Sequence, residues 1–416
     1  MMEEVKMKIP IVMVCDHNYI LQTRVTIWTM RKSTCDDVFL EVTILCAKNM
    51  VEDEKGKLKE LENILINIKI IFYIVESEMF QNVRKTAHVP VASLYRLIIP
   101  DVIKESKCLF LDGDLIVKID LQSLYLCELN DCYIAAVRDR VILNKPEDAI
   151  KHAELYGFES IENYVNAGVI LFNLDKIRED NLNELILQNL DKRYRYMDQD
   201  ILNKVCEGKI MFLDMKYNMM LGAHETKLFS DGIIHFVGKF KPWNNNRLKW
   251  AKEWWSWAKE ALESKEYDKL YQQALERTRQ DDWSYIKETC LKEKIVIIIG
   301  YSEIGIALTQ ALKRDNCLTR FLYCDNSKAK QNLSNEDEKI YSVEELAEKY
   351  CNALWINTSQ LSYVNINMQL NKLGIKEDRI IIYRNKSMTY LEMIDDEFIE
   401  YEFLQLQLRL RGSLNR

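Results

Sequence analysis

The sequence predicts an α/β protein with two domains. Its 416 residues exceed the roughly 250 to 300 residues at which a single hydrophobic core stops growing. Short apolar runs alternate with helical patterns, from residues 9–15 near the start to residues 379–383 near the end. Because strands that alternate with helices form parallel sheets with crossover helices, we expect one such sheet in each domain.

The net charge and the cysteines narrow the class of protein. A net charge of -7 argues against a general nucleic-acid binder, since neutralising phosphates takes a basic surface. The 11 cysteines form no CxxC pair, which indicates reduced thiols in a cytosolic protein rather than a zinc site or a disulfide framework. The N-terminal segment lacks the apolar core of a signal peptide, and no run of about 18 apolar residues occurs. We therefore expect a cytoplasmic protein without a transmembrane helix.

The first domain is predicted to span residues 1–250. Its predicted strands are residues 9–15, 38–46, 68–75, 108–111, 132–137, 164–174 and 233–237. Helical patterns follow the first strand to about residue 32 and separate the next two strands over residues 52–66. Ligands of such sheets bind beyond the carboxyl ends of the strands, so polar residues at these ends are the candidates for a functional site.

The stretch at residues 107–120 reads KCLFLDGDLIVKID and places Asp112 and Asp114 at the end of an apolar strand. Residues two apart in an extended chain point to the same side, so both carboxylates can face one cation. Paired acids of this kind suit a hard divalent metal ion with oxygen ligands. Taken alone, the stretch fits a solvated Asp-Gly turn between two buried segments equally well.

A second motif, HFVGKFKPW at residues 235–243, changes that balance. It supplies His235, Gly238 and Lys241 at intervals of three. An imidazole can complete a metal site, a glycine brings its backbone N–H close to a phosphate, and a lysine opposes the phosphate charge. A single histidine is usually a core residue, but these neighbours favour a site for a metal ion and a diphosphate.

Further polar residues lie at the ends of two other predicted strands. Asp16, Asn18 and Tyr19 follow the first strand, where helix capping is the commoner role of Asp and Asn. Asn166 and Gly168 open the strand at residues 164–174, and small residues there allow the backbone to approach a ligand closely.

The remaining candidates precede or begin predicted helices or end a strand. Arg96 stands before an apolar helix end, and Asp139 follows the strand at residues 132–137. Asp198 and Gln199 lie in the first turn of a helix that begins in YMDQDILN. Acids in a first helical turn are stabilised by the helix dipole, so this segment, with Asp198 in it, has a purely structural interpretation as well.

Together these stretches resemble glycosyltransferase family 8, in particular the bacterial galactosyl- and glucosyltransferases of lipopolysaccharide. The matching stretches are IVMVCDHNY, the RL of LYRL, LFLDGDLIV, YVNAGVILFNL, YMDQDILN and HFVGKFKPW. A lone DxD is weak evidence, whereas six blocks in the family's order are specific. The resemblance implies a GT-A fold, with a mixed sheet and helices on both faces. It also implies retaining transfer of galactose or glucose from a UDP-sugar to a saccharide or glycolipid acceptor, dependent on Mn²⁺ or alternatively Mg²⁺.

The resemblance also assigns roles by position. It makes Asp112, Asp114 and His235 the metal ligands. It assigns the UDP-sugar to Asp16, Asn18, Tyr19, Arg96, Asp112, Gly113, Gly238 and Lys241. It places Asp139, Asn166, Asp198 and Gln199 at the sugar and reaction face, and the segment between residues 139 and 164 is expected to be an acceptor loop.

The residue types at the reaction face decide between two mechanisms. Double displacement needs a carboxylate nucleophile close to the anomeric carbon, as in retaining glycosidases. The family's candidate position is occupied here by Gln199, an amide that is a poor nucleophile. We therefore expect a same-face transfer, in which Gln199 stabilises an oxocarbenium-like sugar and Asp198 holds sugar hydroxyls.

The rest of the chain is predicted to form a helical linker, a second domain and a tail. The linker, residues 251–293, carries Trp254, Trp255 and Trp257 among lysines, with Trp250 just before it. Packing of these tryptophans onto the neighbouring domain is the preferred interpretation, and peripheral contact with the inner face of the membrane is the alternative. Residues 294–390 resemble a Rossmann-like domain, although Ser302 replaces the second glycine of the fingerprint. We expect this domain to serve assembly, as in a homo-oligomer, or substrate presentation, with sugar-nucleotide binding as the alternative. The tail, residues 391–416, is basic and alternately apolar.

Two other functions stay open at this point. Phosphohydrolases with an aspartate nucleophile also carry a DxD after an apolar strand, but that strand lies near their N-terminus. A non-catalytic scaffold that binds nucleotide-sugars is expected to have lost a metal ligand, and all three candidate ligands are present here.

Overall fold

The computed structural model describes residues 7–76, 80, 91–190, 194–221, 230–238, 241–280, 283–314, 317, 319–332, 339–359 and 362–383. The predicted tail at residues 391–416 lies outside these described residues. The chain divides into two compact units. The first consists of Met1–Lys241 and Lys252–Tyr267, and the second of Pro242–Ala251 and Asp268–Arg416.

The first unit is built on a mixed sheet. Its strands are β1 Met7–Val14, β2 Val38–Ala47, β3 Ile68–Val75, β4 Lys107–Leu111, β5 Leu115–Val117, β6 Ile134–Arg138, β7 Val165–Asn173, β8 Ile210–Phe212, β9 Met219–Met220 and β10 Ile233–His235. Seven of these described strands form the main sheet, in the order β3-β2-β1-β4-β7-β6-β8. The continuous apolar runs of β4 and β7 are buried on both faces, as expected for strands at the centre of such a sheet.

Strand direction differs from the all-parallel sheet that the alternation of strands and helices predicts. β1, β2, β3 and β4 pair in parallel, whereas β7 runs antiparallel to both β4 and β6. An apolar run buried on both faces has the same composition in either direction, so its sequence does not reveal which way the strand runs. The mixed sheet implied by the family resemblance is the one observed.

Helices and 3₁₀ turns cover the sheet. The helices of the first part of the chain are α1 Ile20–Ser33, α2 Glu52–Lys59, α3 Leu61–Ile64, α4 Ile99–Val102, α5 Leu121–Tyr125, α6 Arg140–Leu143, α7 Pro146–Tyr156, α8 Leu174–Glu179, α9 Leu182–Asn189 and α10 Asp198–Val205. The 3₁₀ turns are Val91–Ile98, Ile161–Asn163 and Met215–Tyr217. The segment expected to be an acceptor loop therefore contains two helices, α6 and α7. Pro146 at the first helical position and Glu147 in the first turn favour this helix start.

The predicted linker forms three helices, α11 Ala251–Ala261, α12 Ser264–Gln280 and α13 Trp283–Leu291. Trp250, Trp254 and Trp255 are buried, and the rings of Trp254 and Trp255 meet edge to face at 4.8 Å. Burial of these rings supports packing over membrane contact as the role of the tryptophans. Across the described residues, no helix combines the length and the apolar character needed to span a bilayer.

The second unit contains a parallel sheet of five described strands. Its elements are β11 Ile295–Ile299, α14 Glu303–Arg314, β12 Arg320–Cys324, α15 Lys328–Gln331, β13 Ile340–Tyr341, α16 Val343–Lys349, β14 Leu354–Asn357, α17 Tyr363–Lys372, the 3₁₀ turn Glu377–Arg379 and β15 Ile380–Ile382. The strand order is β13-β12-β11-β14-β15, and every pair is parallel. This order is that of a doubly wound α/β sheet.

Candidate active site

The two candidate motifs meet where the main sheet joins a second, smaller sheet. The DGD loop connects β4 of the main sheet to β5, which pairs antiparallel with β10 and thereby opposes Leu115 to His235. The backbone N–H of Asp112 donates to the carbonyl oxygen of Gly168 at 2.9 Å, which holds the start of the loop against β7. His235 therefore lies beside Asp112 and Asp114, although it is far from both in sequence.

The three side chains converge in the manner of metal ligands. His235 Nε2 lies 3.3 Å from Asp114 Oδ1 and 3.7 Å from Asp112 Oδ2. One ligand atom from each of the three residues lies within 4.8 Å of the others. Among the described residues, none makes a hydrogen bond to the buried Oδ1 of Asp114, which faces His235 Nε2 at 3.3 Å. A buried carboxylate oxygen in that position fits a bound cation, so the residues present suit a divalent metal ion.

Two buried cations hold the outer oxygens of the carboxylates. Arg96 Nη2 donates to Asp112 Oδ1 at 2.9 Å, and Lys241 Nζ donates to Asp114 Oδ2 and to the carbonyl oxygen of Phe236. Each carboxylate thus has one oxygen paired with a cation and the other turned towards His235. Burial alone would raise the pKa of Asp114, but the Lys241 ammonium holds that pKa well below its usual range. Asp114 is therefore ionised, as a metal ligand has to be.

Gly168 makes room for this arrangement. A Cβ atom at this position would lie 2.8 Å from both Asp112 Oδ2 and His235 Nδ1, and closer still to His235 Cε1. The sequence predicts a close approach of the backbone to a ligand here. The group that approaches Gly168 is the imidazole of His235.

The residues assigned to the reaction face are bonded mainly to one another. Asn166 Nδ2 donates to Asp139 Oδ2 at 3.1 Å and to Gln199 Oε1 at 3.3 Å, and Gln199 Nε2 donates to Asp139 Oδ2 at 2.9 Å. Asp139 Oδ1 accepts from two backbone N–H groups at the start of α6. Asp139 is buried and both of its oxygens have partners, so in this structure it orients Asn166 and Gln199 and caps a helix.

Asp198 joins this face to the metal-ligand cluster. Its Oδ2 lies 3.0 Å from Arg96 Nε, and its Oδ1 accepts from Ser93 Oγ at 2.8 Å. Arg96 therefore bridges Asp112 and Asp198. Burial raises the pKa of Asp198, although the Arg96 guanidinium acts in the opposite direction.

The residues assigned to the uridine end form a turn after β1. Asp16 Oδ1 accepts from the backbone N–H of Asn18 at 2.8 Å, and the backbone N–H of Tyr19 donates to the carbonyl oxygen of Asp16 at 3.0 Å. The carboxylate of Asp16 thus closes its own turn rather than capping α1. The Tyr19 ring centre lies 6.0 Å from Lys241 Nζ, which connects this turn to the metal-ligand cluster.

Two glycines complete the predicted set. Gly113 lies between the two acids and packs against Thr23 of α1. Gly238 has a φ of 58°, in the left-handed region that favours glycine. A residue with a side chain would strain the backbone at this position.

Comparison with known proteins identifies the family. The sequence profile described as Glycosyl transferase family 8 matches residues 10–247, which is more than half of the chain. The chain belongs to glycosyltransferase family 8. A glycosyltransferase candidate from Haemophilus influenzae is 30% identical over 208 residues, which span 49% of this chain and 61% of that protein. The lipopolysaccharide 1,2-glucosyltransferase of Escherichia coli is 31% identical over 161 residues, which span 35% of this chain and 45% of that enzyme.

Solved structures bear on the fold of the family 8 part. The galactosyltransferase LgtC, solved in complex with donor and acceptor sugar analogs, matches with a TM-score of 0.54 at 23% identity. The match covers 63% of this chain and all of LgtC. The predicted GT-A fold is thereby confirmed. The match to the family profile ends before β11, so it does not include the sheet of the second unit.

The candidate site includes two residues that the motifs do not identify. Asn218, which precedes β9, places its Oδ1 2.9 Å from His235 Nδ1, and Ser93 holds Asp198 as described above. A completely buried asparagine beside a strand of two residues has no distinctive sequence pattern. Only the three-dimensional pairing of β9 with β10 reveals that Asn218 lies next to a candidate metal ligand.

Proposed function

We propose that this family 8 chain transfers galactose or glucose from a UDP-sugar to a saccharide or glycolipid acceptor, with retention of configuration and dependence on Mn²⁺. The observation that carries the proposal is the convergence of Asp112, Asp114 and His235 around a buried carboxylate oxygen that accepts no hydrogen bond from the described residues. The relatives support the chemistry of donor and acceptor, because one is a lipopolysaccharide glucosyltransferase and another a galactosyltransferase. We place the reaction in the synthesis of a surface polysaccharide, a lipopolysaccharide or another glycoconjugate.

The ligand set bears on the choice of metal. Two carboxylates and one neutral imidazole suit Mn²⁺ better than Ca²⁺, which prefers oxygen ligands alone, while Mg²⁺ is the alternative. A divalent cation held there would neutralise the diphosphate oxygens of UDP as it departs. The proposed ligands are Asp112 Oδ2, Asp114 Oδ1 and His235 Nε2, the three atoms that face one another.

Lys241 and Gly238 are proposed to hold the leaving group. The Lys241 ammonium is buried beside Asp114 and acts as a point charge near the expected diphosphate, and Gly238 offers a backbone N–H at a tight turn. An interaction that strengthens as negative charge builds on UDP lowers the barrier, and each ~1.4 kcal/mol gained only in the transition state is tenfold in rate. Asp16, Asn18 and Tyr19 are proposed to contact the uridine, with Arg96 between the donor sugar and its phosphate.

On the sugar side we propose a same-face transfer. Two hydrogen bonds orient the Gln199 amide. The backbone N–H of Ala167 donates to Gln199 Oε1 at 3.0 Å, and Gln199 Nε2 donates to Asp139 Oδ2. An amide held in this way can stabilise positive charge on the sugar without reorganising. Asp198 is proposed to hold sugar hydroxyls, and the departing phosphate to take the acceptor proton. Full transfer activity in Gln199→Ala would contradict the role given to Gln199.

The second unit and the location of the protein are part of the same proposal. We propose that the Rossmann-like domain at residues 294–390 serves assembly of a homo-oligomer or substrate presentation. We propose a cytoplasmic location for the enzyme, with peripheral contact with the inner face of the membrane as the alternative. Sedimentation of the full chain is expected to give a mass above that of a monomer. A monomer at micromolar concentration would overturn the assembly role.

The decisive experiment measures UDP release from a panel of UDP-sugars with Mn²⁺, with Mg²⁺ and with a chelator. We expect metal-dependent turnover of one UDP-hexose by the wild type and none by Asp114→Ala. Asp131→Ala is the matched control, because Asp131 is an exposed acid in the same unit, paired with surface lysines. Absence of both turnover and UDP-sugar binding under every metal condition would reject the transferase, whereas UDP-sugar binding without turnover would favour the scaffold.

A further inference from the structure

The hydrogen-bond partners of Asn166 show which end of its buried side-chain amide is the oxygen and which is the nitrogen. The side-chain oxygen of Asn166 accepts from the backbone N–H of Gly168 at 3.0 Å, and a backbone N–H can only donate. On its other side, Asn166 Nδ2 faces the carboxylate of Asp139 at 3.1 Å, and an ionised carboxylate only accepts. Exchanging the oxygen and nitrogen of Asn166 would place like groups against each other at both contacts. The amide of Asn166 therefore has one orientation.

This orientation determines that of a second amide. The side chain of Asn218 lies 2.9 Å from Asn166 Oδ1 and is completely buried. Because Asn166 Oδ1 is an acceptor, Asn218 has to present its NH₂ group to it. The oxygen of Asn218 is then left facing His235 Nδ1 at 2.9 Å. An acceptor at that distance requires a proton on Nδ1, and the neutral ring then carries its lone pair on Nε2.

We propose that Asn218 is a positioning residue that holds His235 as the Nδ1–H tautomer, so that the Nε2 lone pair points at Asp112 and Asp114. Ligand histidines are commonly oriented by a carboxylate or a backbone carbonyl on their other nitrogen. Here the partner is an amide, which can present either end, and the hydrogen bond to Asn166 selects the oxygen. The inference rests on the proposed metal site and adds to it a residue outside the family motifs.

The same series of contacts connects the two halves of the site. Asp139 orients Asn166, Asn166 orients Asn218, and Asn218 orients His235. Asp139 also orients Gln199, so one buried carboxylate governs the geometry of both the proposed sugar face and the proposed metal ligand. Asp139 therefore acts on the reaction through other residues, as Asn218 does.

The tautomer can be measured on the wild-type protein without any substitution. Metal-free full chain labelled with ¹⁵N-histidine is examined by long-range ¹H–¹⁵N correlation at pH 8, and His235 is assigned as the signal missing from His235→Gln. The sequence has 5 histidines, so the spectrum is simple. We expect the Nδ1–H pattern for His235. An Nε2–H pattern, or an imidazolium that carries both protons, would overturn the proposal that Asn218 holds the neutral Nδ1–H tautomer.

A substitution tests the consequence for metal binding. Asn218→Leu keeps a side chain of similar shape but removes the acceptor, and we expect Mn²⁺ affinity, measured by electron paramagnetic resonance, to fall by about 10- to 100-fold. Asn189→Leu is the control, since Asn189 is a buried amide in α9 that bonds to Tyr194 and Leu185. It should lose stability to a similar degree and keep both the tautomer and the Mn²⁺ affinity.

The outcomes separate this inference from the proposed function. Wild-type protein that binds no Mn²⁺, with or without UDP, would reject the metal site and the inference with it. Wild-type protein that binds Mn²⁺ while Asn218→Leu binds it equally well would reject the inference alone. Weakened binding by Asn218→Leu, together with the Nδ1–H pattern in the wild type, supports both.

Discussion

The packing of His235 against Gly168 makes Gly168→Ala the most informative single substitution. The new Cβ would lie 2.8 Å from both Asp112 Oδ2 and His235 Nδ1, whereas non-bonded heavy atoms prefer roughly 3.5 to 4.0 Å. Gly168 lies in β7, a buried strand bonded on both sides, so the backbone is held and the ring has to move by about 1 Å. A misplacement of about 1 Å can cost roughly 100-fold in rate, and overpacking costs about 1 to 3 kcal/mol of stability.

The assay measures Mn²⁺ affinity and kcat/KM for UDP-sugar turnover on Gly168→Ala, with urea unfolding to separate folding from site geometry. The control is Gly56→Ala in α2, where an added Cβ meets no heavy atom within 4 Å and alanine is the better helix former. We expect Gly56→Ala to keep wild-type metal affinity and to gain up to about 1 kcal/mol. Gly168→Ala that folds and binds Mn²⁺ with wild-type affinity would refute the geometric argument.

Three further predictions follow from the charges and thiols. Lys241→Met should lower the free energy of unfolding, measured in urea, by about 3 to 5 kcal/mol because it leaves Asp114 charged and buried. Adding Asp114→Asn should recover most of that stability but no turnover. A loss below ~1 kcal/mol for Lys241→Met would contradict the pairing. Arg96→Lys should lower kcat/KM by at least about tenfold, because one ammonium cannot reproduce the bonds that the guanidinium makes to two carboxylates and two backbone carbonyls. Unchanged kinetics would contradict this prediction. Burial raises the pKa of the Cys15 and Cys206 thiols from 9.0 to about 12, so unfolded thiols release protons before folded ones, and the free energy of unfolding should fall as pH rises from 9 towards 12. Cys206→Ala should reduce that slope by up to about 1.4 kcal/mol per pH unit, and an unchanged slope would show that this thiol is not protected.

The parts of the fold that the sequence predicts well are those determined by local patterns. β1, β2 and β3 follow from apolar runs bounded by polar turns, and their observed bounds differ from the predicted ones by only a few residues. β5, β8 and β9 are strands of two or three residues, too short to show a periodicity. They form because neighbouring strands supply hydrogen-bond partners, which is a tertiary effect. Since the pairing of β5 with β10 brings His235 to the DGD loop, the central contact of the site depends on a strand pairing that local patterns cannot reveal.

The candidate site residues also divide into those that local sequence predicts and those that depend on tertiary contacts. Asp112 and Asp114 are two apart in an extended segment, so the sequence alone places them on one side. The pairing of Arg96 with Asp112 and Asp198 depends on how a 3₁₀ turn, a strand end and a helix start meet, and a sequence records none of these distances. Asn218 is the clearest omission, because its importance comes only from what lies within 3 Å of it.

The balance of charge distinguishes this site from a simple acidic metal site. The carboxylates of Asp112, Asp114 and Asp198 meet the cations of Arg96 and Lys241, which leaves one net negative charge when His235 is neutral. Acids without these cations would attract a metal ion strongly but repel a diphosphate. With them, a divalent cation turns the site net positive, and a diphosphate then meets attraction from the cation, the lysine and the arginine together. This is why the pair of acids alone is weak evidence for a nucleotide-sugar site, and why the lysine of HFVGKFKPW and the arginine of LYRL carry as much of the functional argument as the acids do.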